Sequence, residues 1–128
     1  MHKPLDLESL NMTNQAPTLD IRRPSKWVAE VWLNRPDVRN AFNDAVIAEL
    51  TEAFQQLGHD PDLRVIVLGA HGKAFCAGAD LNWMRAMSDY NWEENFEDAQ
   101  KLANMLWTLD QCPVPIVGRV HGDCYAGG

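Results

Sequence analysis

The feature that most constrains the fold is a short apolar run within Arg64–Gly69, where four consecutive apolar residues stand between turn-forming segments. A run of this kind is typical of a strand that is covered on both faces, as strands of parallel sheets are. The run therefore predicts a buried strand of a parallel sheet.

Helices and strands alternate around this strand. Asn43 is placed as the N-cap of a helical pattern that Gly58 ends. Asn91 with Glu94 three residues later is a capping-box-like start for a longer helix. The predicted elements, in order, are hairpin strands at 18–21 and 27–33, a helix at 44–58, a strand at 64–69, a short helix at 81–87, a long helix at 91–111 and a strand at 114–120. Strands that alternate with helices predict an α/β fold.

Two of these elements carry specific predictions of burial. The strand at 114–120 is expected to be buried like the strand at 64–69. The long helix has an apolar stripe that is expected to face the core, formed by Phe96, Ala99, Leu102, Ala103, Leu106 and Leu109.

The predicted organisation is a polar tail at 1–17 and one domain at 18–128. The domain ends in a Gly-rich loop, at a point where a helix should follow a strand. We therefore expect residues 18–128 to be the N-terminal part of a longer domain.

Charge and composition exclude several classes of function. The net charge is −7, and the only adjacent basic residues are Arg22 and Arg23. A nucleic-acid-binding protein normally has a basic face, so we expect no nucleic-acid partner. No apolar run approaches the length of a membrane span, so no membrane partner is expected.

The cysteines and the start of the chain predict a cytoplasmic protein. The chain has an odd number of cysteines, Cys76, Cys112 and Cys124, and they lack the spacing of metal ligands. This pattern favours reduced thiols and predicts no metal site. The first 20 residues have neither the apolar core of a signal peptide nor an Arg-rich amphipathic pattern.

Two loops of small residues are the candidate site. The segments 74–80 and 121–128 each follow a predicted strand, and ligands of α/β sheets bind at the carboxyl ends of strands. Small residues let a ligand approach the backbone, where two N–H groups could form an oxyanion hole. Such loops also occur where only tight packing requires them, so spacing alone leaves both interpretations open.

Four sequence blocks in order resemble the enoyl-CoA hydratase/isomerase (crotonase) family. They are Leu33–Pro36, Asn40–Phe42, Lys73–Leu81 and Val120–Gly128, and the resemblance covers about 18–128. Trp83-Met84 and the segment through Leu109 are also similar to the methylglutaconyl-CoA hydratase branch. The resemblance implies a spiral of β-β-α units, an acyl-CoA thioester substrate, no cofactor apart from the coenzyme A of the substrate, and assembly as a homotrimer or hexamer.

The resemblance also implies roles for individual residues. Ala79 and Gly127 match the two backbone N–H donors of the oxyanion hole, although Ala126 stands where the family usually has glycine. The acid/base carboxylates of the family's hydratases lie beyond Gly128, so these 128 residues alone are expected to be nearly inactive. Other positions match those that line the substrate or coenzyme A pocket: Arg39, Ala41, Ala77, Gly78, Asp80, Leu81 and Gly128.

Several alternatives remain at this point. Asp80 is a possible base, but its position favours an N-cap for the 81–87 helix. Arg39 and Lys73 could pair with coenzyme A phosphates or be solvated surface charges. The predicted function is hydration of an enoyl-CoA thioester. The alternatives are an isomerase or another crotonase-type reaction, and, in a different class, a non-catalytic module that binds coenzyme A or a partner subunit.

Overall fold

The structure is a computed structural model that describes residues 17–128. Its four-stranded sheet has the order β1–β2–β3–β4, formed by Leu19–Ser25, Val28–Leu33, Val65–Ala70 and Ile116–Gly118. β1 and β2 form the predicted antiparallel hairpin, whereas β2, β3 and β4 are parallel. The predicted α/β class and the predicted parallel sheet are confirmed. The predicted tail at 1–17 lies outside the described residues except for Pro17.

Three α-helices connect the parallel strands. α1 is Asp44–Gly58, α2 is Leu81–Met87 and α3 is Trp92–Asp110. The Asn43 side chain accepts a hydrogen bond from the Val46 N–H at 3.0 Å, which confirms the predicted cap of α1. Asn91 and Glu94 form the predicted capping box at the start of α3. Capping side chains satisfy N–H groups that have no partner within the helix, and this fixes where each helix begins.

The core lies between one face of the sheet and helix α1, with α3 packed against α1. Alternate strand residues point to this face because successive side chains of a strand point to opposite sides. Ala29, Val31 and Ile66 are fully buried there. The apolar face of α1 covers them with Val46, Ile47, Leu50 and Phe54. This core holds the strands from which the loops of the candidate site leave the sheet.

The predicted buried face of α3 is confirmed in part. Leu102 and Leu109 are half-buried and pack against the core, as predicted, whereas Phe96 and Leu106 are each 48% exposed. Met105, which the predicted stripe did not include, is the buried side chain of this helix. The sequence offers apolar residues on more than one side of this helix. Contact with α1 selects the side that carries Met105.

Strand burial was also over-predicted. β4 spans three residues rather than seven, and Val117 and Val120 are more than half exposed. Val117 of β4 pairs with Val67 of β3, so both side chains point to the face of the sheet that lies away from α1. Val65 and Val67 of β3 are only half-buried because they point to this face.

Residues 17–128 contain neither a helix suited to span a membrane nor a cluster of metal ligands. None of the helices described there is long and apolar enough to cross a membrane. Within the same range, His, Cys, Asp and Glu side chains form no group of three that could hold a metal ion.

Candidate active site

Three loops meet beyond the carboxyl ends of the parallel strands. They follow β2, β3 and β4, and two parallel β-bridges join them, Phe42 with Ala79 and Cys76 with Cys124. The Phe42 N–H donates to the Gly78 carbonyl at 2.7 Å, and the Asp80 N–H donates to the Phe42 carbonyl at 2.7 Å. The Tyr125 N–H donates to the Cys76 carbonyl at 3.0 Å. The two predicted small-residue loops are therefore neighbours in space.

The backbone of Ala79 is held on both sides but leaves its own N–H free. The hydrogen bonds of Gly78 and Asp80 to Phe42 fix the peptides before and after it. Within residues 17–128 the Ala79 N–H donates no hydrogen bond, and the residue is exposed. A fixed, exposed N–H without a partner in this part of the chain is available to a ligand.

The Gly127 N–H lies in the facing loop and also donates no hydrogen bond to any described residue. A methyl group added to Gly127 would lie 3.6 Å from the Phe42 ring, and one added to Gly78 would lie 3.2 Å from the Ala126 methyl. Gly78 has φ of +89°, a conformation that glycine adopts without strain. Gly78 and Ala126, which precede Ala79 and Gly127 in the chain, are therefore in contact.

Ala126 adopts φ of 47°, in the left-handed region. This is the position where the resemblance leads one to expect glycine. A side chain in this region costs roughly 1–2 kcal/mol relative to the right-handed conformation. A glycine at this position would adopt the left-handed conformation more easily than Ala126 does.

Asp80 is the N-cap of α2, as its position predicted. Its Oδ1 accepts from the Asn82 N–H at 2.8 Å and the Trp83 N–H at 3.1 Å, and its Oδ2 pairs with Arg35 Nη2 at 3.2 Å. Burial raises the pKa of this carboxyl, but the Trp83 N–H, the Arg35 guanidinium and the Asn82 N–H together hold the pKa below its ordinary value. Asp80 is therefore an ionised cap whose oxygens are already engaged.

Asn40 lies in one of the blocks that resemble the family, but the sequence did not indicate the role of its side chain, which ties the loop after β2 to the loop after β3. Asn40 is 1% exposed, and its Nδ2 donates to the carbonyls of His71 and Ala74 at 2.8 and 3.0 Å. Its Oδ1 accepts from the Arg35 N–H at 2.7 Å. Asparagine tolerates the left-handed region, and Asn40 has φ of 56°. Its side-chain partners are as many as 34 residues distant in sequence, so local pattern carries no sign of them.

The other predicted site residues lie around the same loops with different exposure. Arg39 is exposed, and its carbonyl accepts from the Ala77 N–H at 3.0 Å. Ala41 is buried, with 6% exposure, so its methyl group is not open to a ligand. Leu81 is 68% exposed, whereas Ala77 is half-buried. Gly128 packs so closely on Cys76 that an added methyl group would lie 2.7 Å from the Cys76 Cβ.

A cavity of about 990 Å³ is lined mainly by residues of α1 and α3. Arg35 and Asn43 of the loop after β2 and Trp83 of α2 also line it, but neither Ala79 nor Gly127 does. We do not place the reaction in this cavity, because the Ala79 and Gly127 N–H groups, which could donate to a carbonyl oxygen, do not line it.

The fold and the paired loops define a class of protein, the crotonase-type α/β fold. A solved enoyl-CoA hydratase from Shewanella pealeana superposes with a TM-score of 0.83 at 33% identity, over 94% of this chain and 44% of that one. An enoyl-CoA hydratase from Mycobacterium smegmatis superposes with a TM-score of 0.77 at 38% identity, over 84% of this chain and 41% of that one.

The chain belongs to the enoyl-CoA hydratase/isomerase family, whose sequence profile matches residues 23–128. It is 34% identical to the mitochondrial Delta(3,5)-Delta(2,4)-dienoyl-CoA isomerase of Mus musculus, in an alignment that covers 87% of this chain. It is 32% identical to the mitochondrial enoyl-CoA hydratase domain-containing protein 2 of the same species, in an alignment that covers 91% of this chain. The chain spans 36% and 40% of the length of these two relatives.

Proposed function

We propose that the protein is an enoyl-CoA hydratase-type enzyme, which adds water across the 2,3 double bond of an acyl-CoA thioester. The observation that carries the proposal is the pair of loops in which Ala79 and Gly127 have N–H groups without a partner among the described residues. In this proposal both N–H groups donate to the thioester oxygen. Family membership supports an acyl-CoA substrate for such a site.

The chemistry requires these donors most when negative charge develops on that oxygen. Attack of water at the β-carbon moves electrons toward the thioester carbonyl and gives an enolate. Donors that are already in place stabilise the enolate more than the substrate, and this lowers the barrier. Hydrogen bonds from Phe42 and Asp80 fix the Ala79 peptide in advance, so little reorganisation is needed during the reaction.

The remaining parts of the proposal concern the rest of the substrate and the assembly. Arg39 and Lys73 are exposed cations at the loops and are proposed to meet the coenzyme A phosphates. The exposed Leu81 side chain offers apolar surface for the acyl chain. General acid/base carboxylates are expected beyond Gly128. A homotrimer or hexamer, a cytoplasmic location and the absence of a further cofactor remain proposals.

Isomerisation is the second candidate, because one of the relatives is a dienoyl-CoA isomerase. Both reactions pass through a stabilised enolate, so the same pair of donors would serve either. The two differ in whether solvent oxygen is added. A hydratase places an oxygen from water on the β-carbon, whereas an isomerase only moves a double bond.

The test is turnover of enoyl-CoA thioesters by the full-length protein in ¹⁸O-labelled water, followed by mass spectrometry of the product. Hydration predicts a product heavier by one labelled water, and isomerisation predicts a product of unchanged mass. A saturated acyl-CoA of the same length is the control substrate. Binding of acyl-CoA without any turnover would contradict the enzyme proposal and support the non-catalytic module instead.

A matched pair of variants tests the contribution of the cations. Arg39→Ala is expected to raise KM without lowering kcat, because it removes binding energy that substrate and transition state share. Arg64→Ala is the control, since Arg64 is also exposed but precedes β3, at the opposite end of the parallel strands from the site loops. Equal KM values for both variants would contradict the role of Arg39.

A further inference from the structure

Two cysteines are direct partners in the bridge that joins the loops of the candidate site. Cys76 and Cys124 are paired residues, and the Cys76 N–H and carbonyl bond to Asp123 and Tyr125, on either side of Cys124. Paired residues on neighbouring strands lie about 4.8 Å apart. This spacing falls inside the range of about 4.4–6.8 Å between the Cα atoms of disulfide-bonded cysteines.

The Cys76 thiol also contacts residues that adjoin both N–H groups of the proposed oxyanion hole. Its Sγ accepts from the Gly78 N–H at 3.5 Å, one residue before Ala79. On the other side, a methyl group added to Gly128 would lie 3.0 Å from the same Sγ, one residue after Gly127. Any change in the position of this sulfur therefore reaches the peptides next to both donors.

We propose that Cys76 and Cys124 form a peroxide-sensitive dithiol, whose disulfide reversibly disables the acyl-CoA site. Both cysteines are free thiols in the structure, and the odd number of cysteines suits a protein that is kept reduced. The formation of the disulfide does not depend on the proposed function. Its effect on turnover rests on that function.

Hydrogen peroxide is the oxidant that forms the disulfide. The Cys124 thiolate attacks the O–O bond, so that an S–O bond forms, Cys124 becomes a sulfenic acid and the peroxide is reduced to water. The Cys76 sulfur then attacks the Cys124 sulfur, so that an S–S bond forms, the S–O bond breaks and a second water leaves with the Cys76 proton. Two thiols and one hydrogen peroxide thus give one disulfide and two waters.

The difference in burial sets the order of the two steps. Cys124 is exposed and can meet peroxide, whereas Cys76 is buried. Burial raises the pKa of the Cys76 thiol, the hydrogen bond from the Gly78 N–H partly offsets this rise, and the neighbouring Cys124 adds to it. Because Cys76 is buried but is the bridge partner of Cys124, it takes the second step, in which it attacks the Cys124 sulfur rather than free peroxide. An added dithiol reverses the reaction by thiol–disulfide exchange.

Formation of the disulfide requires a small movement of the 121–128 loop, which carries the Gly127 N–H. Paired Cβ atoms on neighbouring strands are about 4.8 Å apart, and a disulfide brings Cβ atoms to about 3.8 Å. The exposed 121–128 loop has to move by about 1 Å, and a misplacement of this size near a reacting group can lower the rate by about 100-fold.

The experiment treats the full-length protein with hydrogen peroxide, blocks the remaining thiols at low pH and digests it with trypsin. Cleavage after Lys73, Arg85, Lys101 and Arg119 places the three described cysteines on three different peptides. The expected product links the peptide 74–85 to the peptide that begins at Val120. Turnover of an enoyl-CoA is expected to fall by about 100-fold and to return with dithiothreitol.

Two variants separate this result from its alternatives. Cys124→Ser is expected to keep turnover in peroxide and to give no linked peptide, whereas Cys112→Ser is expected to behave like the parent. Recovery of Cys124 as a sulfinic acid or as a dimer with Cys124 of a second chain, with Cys76 fully blocked, would overturn the proposal. A linked peptide with unchanged turnover would overturn the link to the site. Absence of turnover before oxidation would instead count against the proposed function.

Discussion

Replacement of Asn40 by alanine is expected to destabilise the protein strongly, because three hydrogen bonds depend on this one buried side chain. It donates to the carbonyls of His71 and Ala74 and accepts from the Arg35 N–H, at 2.8, 3.0 and 2.7 Å. At about 1 kcal/mol for each bond, the loss is about 3 kcal/mol. Alanine in the left-handed conformation of residue 40 adds about 1 kcal/mol. The total loss in the free energy of unfolding is about 4 kcal/mol.

Equilibrium unfolding in urea measures this loss. With a slope of about 1.5 kcal/mol per molar urea, the midpoint of Asn40→Ala falls by roughly 2.5 M. Asn43→Ala is the matched control, because Asn43 makes a single capping bond whose removal costs about 1 kcal/mol. Equal midpoints for the two variants would refute the reasoning, since Asn40 would then contribute no more than one ordinary bond.

Two further predictions test the packing of α3 and the ionisation of Asp80. Met105→Ala is expected to lower the free energy of unfolding by about 3 kcal/mol, because Met105 is 1% exposed. Leu106→Ala, at a half-exposed neighbour, is expected to lower it much less in the same urea titration. The reverse order would contradict the observed buried face of the helix. The pKa of the Asp80 carboxyl is lower in the folded protein than the usual unfolded value of about 3.9. The ionised carboxylate therefore contributes its full stabilisation above about pH 3.9, and this stabilisation is lost as the pH falls through the folded pKa. The Asp80→Asn variant is therefore expected to lose less stability than the parent on acidification in a pH series of urea unfolding, and equal losses would contradict this assignment.

The sequence predicted the elements well where the signal is local. The N-caps at Asn43, Asp80 and Asn91 fixed the starts of all three described helices. The β-forming residues of 27–33 predicted β2, and one face of this strand packs on the core.

The errors arose where the outcome depends on what packs against an element. Helix α3 has apolar residues on several sides, and only its contact with α1 selects Met105 over Leu106. A continuous apolar run does not distinguish a strand covered on both faces from β4, whose outer face is open in residues 17–128.

Within the candidate site, the sequence predicted the two loops but not the contacts between them. The small residues around Ala79 and Gly127 marked segments that a ligand could approach. The bridges of Phe42 with Ala79 and of Cys76 with Cys124 are long-range pairings, and no local pattern specifies them. The hydrogen bonds of Asn40 are hidden from a sequence reading for the same reason.

In the proposed reaction the Ala79 N–H stabilises charge on the thioester oxygen. Incorporation of lactic acid at position 79 replaces this N–H by an ester oxygen and keeps the methyl side chain. The donor is lost, and the Gly78 carbonyl becomes a weaker acceptor for the Phe42 N–H. The same replacement at Ala74 is the control, because that N–H also makes no hydrogen bond to described residues and lies in the same loop.

The quantity to measure is kcat for an enoyl-CoA in the full-length protein. We expect the ester at 79 to lower kcat by about 10²–10³-fold, as the loss of one oxyanion donor does, while the ester at 74 leaves kcat nearly unchanged. A kcat for the position-79 ester within twofold of the position-74 control would show that the Ala79 N–H does not stabilise the thioester oxygen.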